Sequence, residues 1–186
     1  ELWILGTLAL IALLSYLSGL DYALAKALSH RTPIGISLLE SSWYYLFFEL
    51  SALVYLLMKK RRAAVSLILS VALLYLMQVA FTEFAPRERP PEAMPVGDFL
   101  MDLIRSTGAS SSFFSGHSAT AVAVYTIFQM INFHPLLVLL LALPVLISRL
   151  TLVQHYLSDV IGGAIFGYVT TKIIYTIIKK KTNDGQ

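Results

Sequence analysis

The sequence predicts an all-α fold. It reads as a single domain over residues 1–186, a bundle of six transmembrane helices with a short interfacial helix between the third and the fourth. Three observations lead there. Apolar residues make up 57% of the chain and charged residues 13%, with a mean hydropathy of +0.72, against roughly 45–50% and about 25% for soluble domains. The apolar residues collect in six segments, at 2–20, 37–58, 63–82, 114–131, 135–150 and 158–178, most of them near the ~20 residues that cross a ~30 Å hydrocarbon core. None of them alternates as a barrel strand does, and in lipid only helices and closed barrels satisfy their own backbone.

The first segment is too long for a signal-peptide core and has no convincing small-residue cleavage site, so it is expected to be retained as a span. The second carries Trp43, Tyr44 and Tyr45, which read as an interfacial aromatic belt. It also carries Glu49 at mid-span. A carboxyl group at that depth is expected to be protonated or bonded to a polar partner such as Gln78 or Gln129, in a structural role. Lys59-Lys60-Arg61-Arg62 joins the second segment to the third. The loop from 84 to 112 is stiffened by Pro86, Pro90, Pro91 and Pro95. It then presents Phe99, Leu100, Leu103 and Ile104 as an apolar stripe at helical spacing, the predicted interfacial helix. The fourth segment begins at Ser115-Gly116-His117, and Asn132-Phe133-His134-Pro135 turns it into the fifth. In the sixth, Lys172 is expected to snorkel, and Lys179-Lys180-Lys181 closes the segment.

Six spans put the two basic clusters on one side, which the positive-inside rule makes cytoplasmic, together with both termini. The opposite side collects the end of the third helix with Arg89, the start of the fourth with His117, the end of the fifth with Arg149, and the start of the sixth with His155 and Asp159. One site at the outer membrane edge follows from this parity. Small faces, Ala119/Ala123 on the fourth helix and Gly163/Gly167 on the sixth, would let those helices approach closely and bring His117 toward His155.

The net charge of +3 is modest and its basic residues are clustered, which points to a bilayer surface as partner and away from nucleic acid. The chain has no cysteine, so disulfides and thiolate chemistry are excluded.

The chemistry concentrates in Ser148–Asp159. His155 and Asp159 are four apart and share a helix face. A carboxylate so placed fixes the histidine tautomer and suits it to act as a nucleophile or a general base. Arg149 and Arg89 are permanent cations that fork onto phosphate oxygens, where charge gathers in phosphoryl transfer. Ser115, Gly116 and His117 stand at a helix N-terminus, whose free N–H groups cradle anions. No carboxylate cluster at ligand spacing lies on this face, so neither metal nor other cofactor is expected.

These residues resemble the signatures of the type 2 phosphatidic acid phosphatase (PAP2) superfamily. Ser148, Arg149, His155 and Asp159 match its Ser-Arg-x5-His-x3-Asp element in full. Ser115, Gly116 and His117 match Pro-Ser-Gly-His, with Phe114 in place of proline; Arg89 and Pro90 match Lys-x6-Arg-Pro, with Thr82 in place of lysine. The resemblance implies a metal-independent phosphatase acting on a membrane lipid phosphate. It makes His155 the nucleophile of a phosphohistidine intermediate, Asp159 its orienting partner and His117 the acid, then base. Arg89, Arg149, Ser115 and the Gly116 N–H would stabilise the phosphoryl oxygens. Arg87 is the candidate to replace the missing lysine charge. Substrates compatible with that site are phosphatidic acid, phosphatidylglycerol phosphate, undecaprenyl pyrophosphate and lipid A 1-phosphate, the last two favoured by similarity to small bacterial envelope-lipid phosphatases.

Three other readings compete. An intramembrane serine protease on Ser115 and His155 lacks a Gly-x-Ser context and leaves two arginines without a role. A proton-coupled transporter needs ionisable groups spread through the membrane, whereas these gather at one edge. A catalytically silent phospholipid-binding relative is motivated by Thr82.

Overall fold

The protein, a computed structural model, is described over residues 2–29, 42–84, 86–91 and 111–183. Seven helices run through these residues: α1 Leu2–Leu17, α2 Leu20–Ser29, α3 Ser42–Lys59, α4 Arg61–Phe84, α5 Gly116–Met130, α6 Pro135–Thr151 and α7 Leu157–Asn183. The expected interfacial helix at 99–104 falls outside the described residues, as does the side chain of Trp43.

Five of the six apolar segments each give one helix within a few residues of the expected bounds. The first does not. It is broken at Ser18-Gly19, and α2 leaves α1 at 81°. Gly19 takes φ +73°, the left-handed conformation that ends a helix at little cost only for glycine. Among the described residues, α4 and α7 are long and apolar enough to cross a membrane, and the bent α1–α2 pair makes a third candidate. The six expected spans are thus not all present as long helices; α5, with 15 residues, reaches about 22 Å at 1.5 Å per residue.

The centre of the bundle is α5 packed on α7, with α4, α6, α1 and α3 around them. The pair approaches closely because its facing residues are small. Ala119, Ala121 and Ala123 are fully buried, and a Cβ built on Gly167 would stand 2.1 Å from the Ala119 carbonyl oxygen. Leu56, Leu74, Val124, Ile127 and Val145 fill the remaining interior. The outside is apolar as well: Leu13, Leu76, Leu136, Leu140 and Ile177 are each more than half exposed, an arrangement suited to lipid and not to water. Phe114 stands at the head of α5 with no exposure, its ring 4.8 Å from Phe166 and 5.9 Å from Phe81 between centroids. That aromatic cluster fixes the chain before α5 where the family signature has proline.

Candidate active site

Four helix ends meet, as the parity argument requires. The Ser115 N–H, at the head of α5, donates to the Asp159 carbonyl in the first turn of α7 at 3.0 Å. Arg89, beyond α4, donates to the Gln154 carbonyl at 3.2 Å and to its side-chain oxygen at 3.3 Å, in the loop between α6 and α7. The N–H groups of Gln154 and His155 both donate to the Arg149 carbonyl at the end of α6, which folds the loop back over the helix.

His155 is buried. Its Nδ1 lies 2.8 Å from the Ser112 carbonyl oxygen and 3.9 Å from Asp159 Oδ2. A carbonyl only accepts, so Nδ1 carries the proton and Nε2 keeps the lone pair. At 3.9 Å the carboxylate is beyond hydrogen-bond reach. Asp159 stands beside His155 as expected from the spacing, and the hydrogen-bonded link between them runs through Ser112, whose hydroxyl donates to Asp159 Oδ2 while its carbonyl holds the imidazole. The Tyr156 N–H donates to the same carboxylate oxygen at 2.9 Å.

His117 lies one residue into α5, its ring centroid 4.3 Å from that of Tyr45. Tyr45 and Thr120 share a hydrogen bond of 2.5 Å between their hydroxyls. Tyr45 thus faces the interior and braces a histidine instead of standing in an aromatic belt, while the Tyr44 hydroxyl donates to the Leu141 carbonyl. Glu49 packs against this same Tyr45–Thr120 pair. The expected partner Gln78 instead donates to the Phe114 carbonyl, and Gln129 faces a groove lined by α1 and α7. Glu49 lies near the middle of α3, and its neighbours differ from the expected glutamines because helix rotation is not encoded in span boundaries.

Arg89 and Arg149 both act electrostatically on His117 and His155. In the loop between helices, burial holds the His155 pKa well below the ordinary histidine value, and Arg89, Arg149 and His117 push in the same direction. His155 is a neutral imidazole with its lone pair available. The Ser115 hydroxyl is the N-cap of α5: it accepts from the Ser118 N–H at 3.4 Å and the Ser118 hydroxyl at 3.0 Å. It is thus turned into its own helix, unlike the free nucleophile a serine protease requires. The first N–H groups of a helix have no acceptor within it, and at the head of α5 these include the N–H groups of Gly116 and His117. Thr82 is buried and donates to the Gln78 carbonyl of its own helix at 3.0 Å.

Arg87 departs most from expectation. Its guanidinium donates to Asp159 Oδ1, to Ser158 Oγ at 2.6 Å and to Asp21 Oδ2 at 2.9 Å. It is therefore directed at the carboxylates of Asp159 and Asp21. Ser112, Asp21, Ser158, Gln154 and Tyr45 are site residues that sequence reasoning missed. A signal existed for Gln154 and Ser158, which lie inside Ser148–Asp159, and for Asp21, since the first apolar segment is expected to end on the same side as the other helix ends.

Among the described residues, no group of three or more His, Cys, Asp or Glu side chains is placed to hold a metal ion. The PAP2 superfamily profile matches residues 63–183, well over half of the 186-residue chain. The chain belongs to the PAP2 superfamily. It is an integral membrane, metal-independent lipid phosphate hydrolase of that family. Its fold is similar to the crystal structure of the first transmembrane PAP2-type phosphatidylglycerolphosphate phosphatase, from Bacillus subtilis. The TM-score is 0.67 and the identity 23%, over 96% of this chain and 94% of that one. Comparison with curated protein sequences gives no match. The PAP2 profile begins in α4 and takes in Arg89, His117, Arg149, His155 and Asp159; α1, α2 and α3 lie before it.

Proposed function

We propose that this PAP2 protein removes phosphate from a membrane lipid through a phosphohistidine on His155. The observation that carries the reading is the buried imidazole with Nδ1–H on the Ser112 carbonyl and two arginines about it. Nε2 attacks phosphorus in line; the N–P bond forms as the bond to the lipid oxygen breaks. Arg89, Arg149 and the N–H groups of Gly116 and His117 take up the charge on the equatorial oxygens. His117 gives the leaving oxygen its proton, then accepts one from the water that hydrolyses the N–P bond and releases inorganic phosphate. Asp159 holds the frame through Ser112.

The proposed topology has six spans, both termini cytoplasmic and the site at the outer face. It is supported by the lysine clusters at the ends of α3 and α7 and by the gathering of the chemistry at the opposite ends. For the substrate, lipid A 1-phosphate and undecaprenyl pyrophosphate remain favoured by resemblance to small envelope-lipid phosphatases. The solved structure it resembles is named for phosphatidylglycerolphosphate. The silent phospholipid-binding reading keeps one observation in its favour: no side chain at position 82 supplies the family lysine's charge, and Arg87 is turned toward carboxylates. Phosphate release by the purified protein, measured on the four lipids in parallel, decides between them. Release from at least one, abolished in His155→Ala, is expected; no release from any would favour the silent relative.

A further inference from the structure

Asp21 lies outside every signature motif and outside the stretch that the family profile matches, yet it is among the most fully bonded side chains in the protein. It accepts from the Ser15 hydroxyl at 2.7 Å, from the Ser158 N–H at 3.1 Å, from the Ser158 hydroxyl, and from Arg87 at 2.9 Å, with 3% of its surface exposed. The Ser158 N–H belongs to the first turn of α7, so the carboxylate sits where the helix presents its partial positive charge. The chain bends by 81° at Gly19, and Asp21 follows in the first turn of α2.

Arg87 closes the arrangement. Its guanidinium lies 4.9 Å from the Tyr16 ring centroid and 4.2 Å from that of Tyr156, with its edges on Asp21 and Asp159. Two aromatic faces and two carboxylates leave it little freedom to swing toward a substrate. The Arg87 backbone is tied as well. Its N–H donates to Ser111 Oγ at 3.0 Å, and its carbonyl accepts from the Ser112 N–H at 2.7 Å. Ser112 in turn grips both His155 and Asp159. A closed ring of bonds thus runs from Arg87 through Ser112 to Asp159 and back to Arg87, with His155 held on Ser112.

We infer that Asp21 and Arg87 form a clamp that positions the Ser112–Asp159 frame behind the nucleophile, and that Arg87 acts there instead of as a phosphate ligand. Asp21 anchors Arg87; Arg87 sets Asp159 and Ser112; Ser112 fixes the tautomer and direction of His155. The inference rests on the phosphohistidine reading. It makes the first, bent helix part of the catalytic apparatus.

The two roles for Arg87 separate kinetically. Asp21→Asn keeps the size of the side chain but turns an amide toward the guanidinium. Arg87→Lys keeps the charge but cannot reach both carboxylates. Both are compared with wild type for kcat and KM on a short-chain lipid phosphate and for inhibition by inorganic phosphate. A clamp predicts kcat lowered about tenfold or more in both variants, with phosphate inhibition within about twofold of wild type, because the phosphate cradle is intact. Phosphate inhibition weakened tenfold in Arg87→Lys, or wild-type kcat in Asp21→Asn, would overturn it. If Asp21→Asn does not fold in detergent, Ser15→Ala removes one donor to Asp21 remote from α7; a smaller fall in kcat is expected, and an unchanged kcat counts against the clamp. A wild-type protein that turns over without labelling His155 would instead mark failure of the phosphohistidine reading.

Discussion

Substituting alanine at Gly163 or Gly167 tests whether close approach of α5 and α7 builds the site. The added Cβ would lie 2.4 Å from the Ser115 carbonyl oxygen at Gly163, and 2.1 Å from that of Ala119 at Gly167. Carbon–oxygen contacts between packed backbones settle at about 3.3 Å or more, so the helices must separate by about 1 Å. Both clashing atoms are backbone, and no side chain can turn aside. Gly163 is one turn from Asp159, and Ser115 is the residue whose N–H bonds the Asp159 carbonyl; the displacement therefore falls between His117 and His155. Misplacing reacting groups by about 1 Å costs on the order of 100-fold in rate, equivalent to about 2.7 kcal/mol, and overpacking removes about 1–3 kcal/mol of stability. Gly6, with no atom within 4 Å of its built Cβ, is the control. The assay is phosphate release from a short-chain lipid phosphate, read beside thermal unfolding in detergent. Gly163→Ala is expected to lose about 100-fold in kcat and Gly6→Ala to match wild type. Full activity in Gly163→Ala, with an unchanged unfolding temperature, would refute the reasoning.

Four further outcomes are expected. His155 must be neutral to attack, so the acid limb of kcat/KM should lie below the ordinary histidine pKa of about 6.5. Removing a neighbouring cation favours the protonated form, so Arg89→Ala should move that limb to higher pH while lowering kcat/KM about 100-fold; a pH–rate profile checks both. Thr82→Val deletes a hydroxyl bonded only to its own helix among the described residues, and should change kcat/KM by less than about threefold, or roughly 0.6 kcal/mol. Phe114→Ala empties the centre of the aromatic cluster and should destabilise the protein by about 3 kcal/mol, visible as a lowered unfolding temperature.

The parts of the site legible in the sequence were ionisable groups at the ends of apolar segments. His117, Arg149, His155 and Asp159 carry unusual chemistry for a membrane segment, and counting spans placed them on one face. Small residues at 119, 163 and 167 disclosed the central helix contact for a similar reason, since close packing leaves a compositional mark. What stayed hidden works through the backbone or through distant pairing. Ser112 holds His155 by a carbonyl, which every residue has. Asp21 and Ser158 are 137 residues apart and meet just past the bend at Gly19. Arg87 was noticed for its charge, but its direction depends on carboxylates and rings gathered from two distant stretches of chain, 16–21 and 156–159.

The central claim is that His155 carries the phosphoryl group. Purified protein is mixed with a lipid bearing radiolabelled phosphate, quenched in alkali during turnover, and digested to find the labelled peptide. The account predicts an acid-labile, alkali-stable label on the peptide containing His155, present in wild type and absent in His155→Ala. Turnover with no protein-bound label, or a label that persists in His155→Ala, would contradict it.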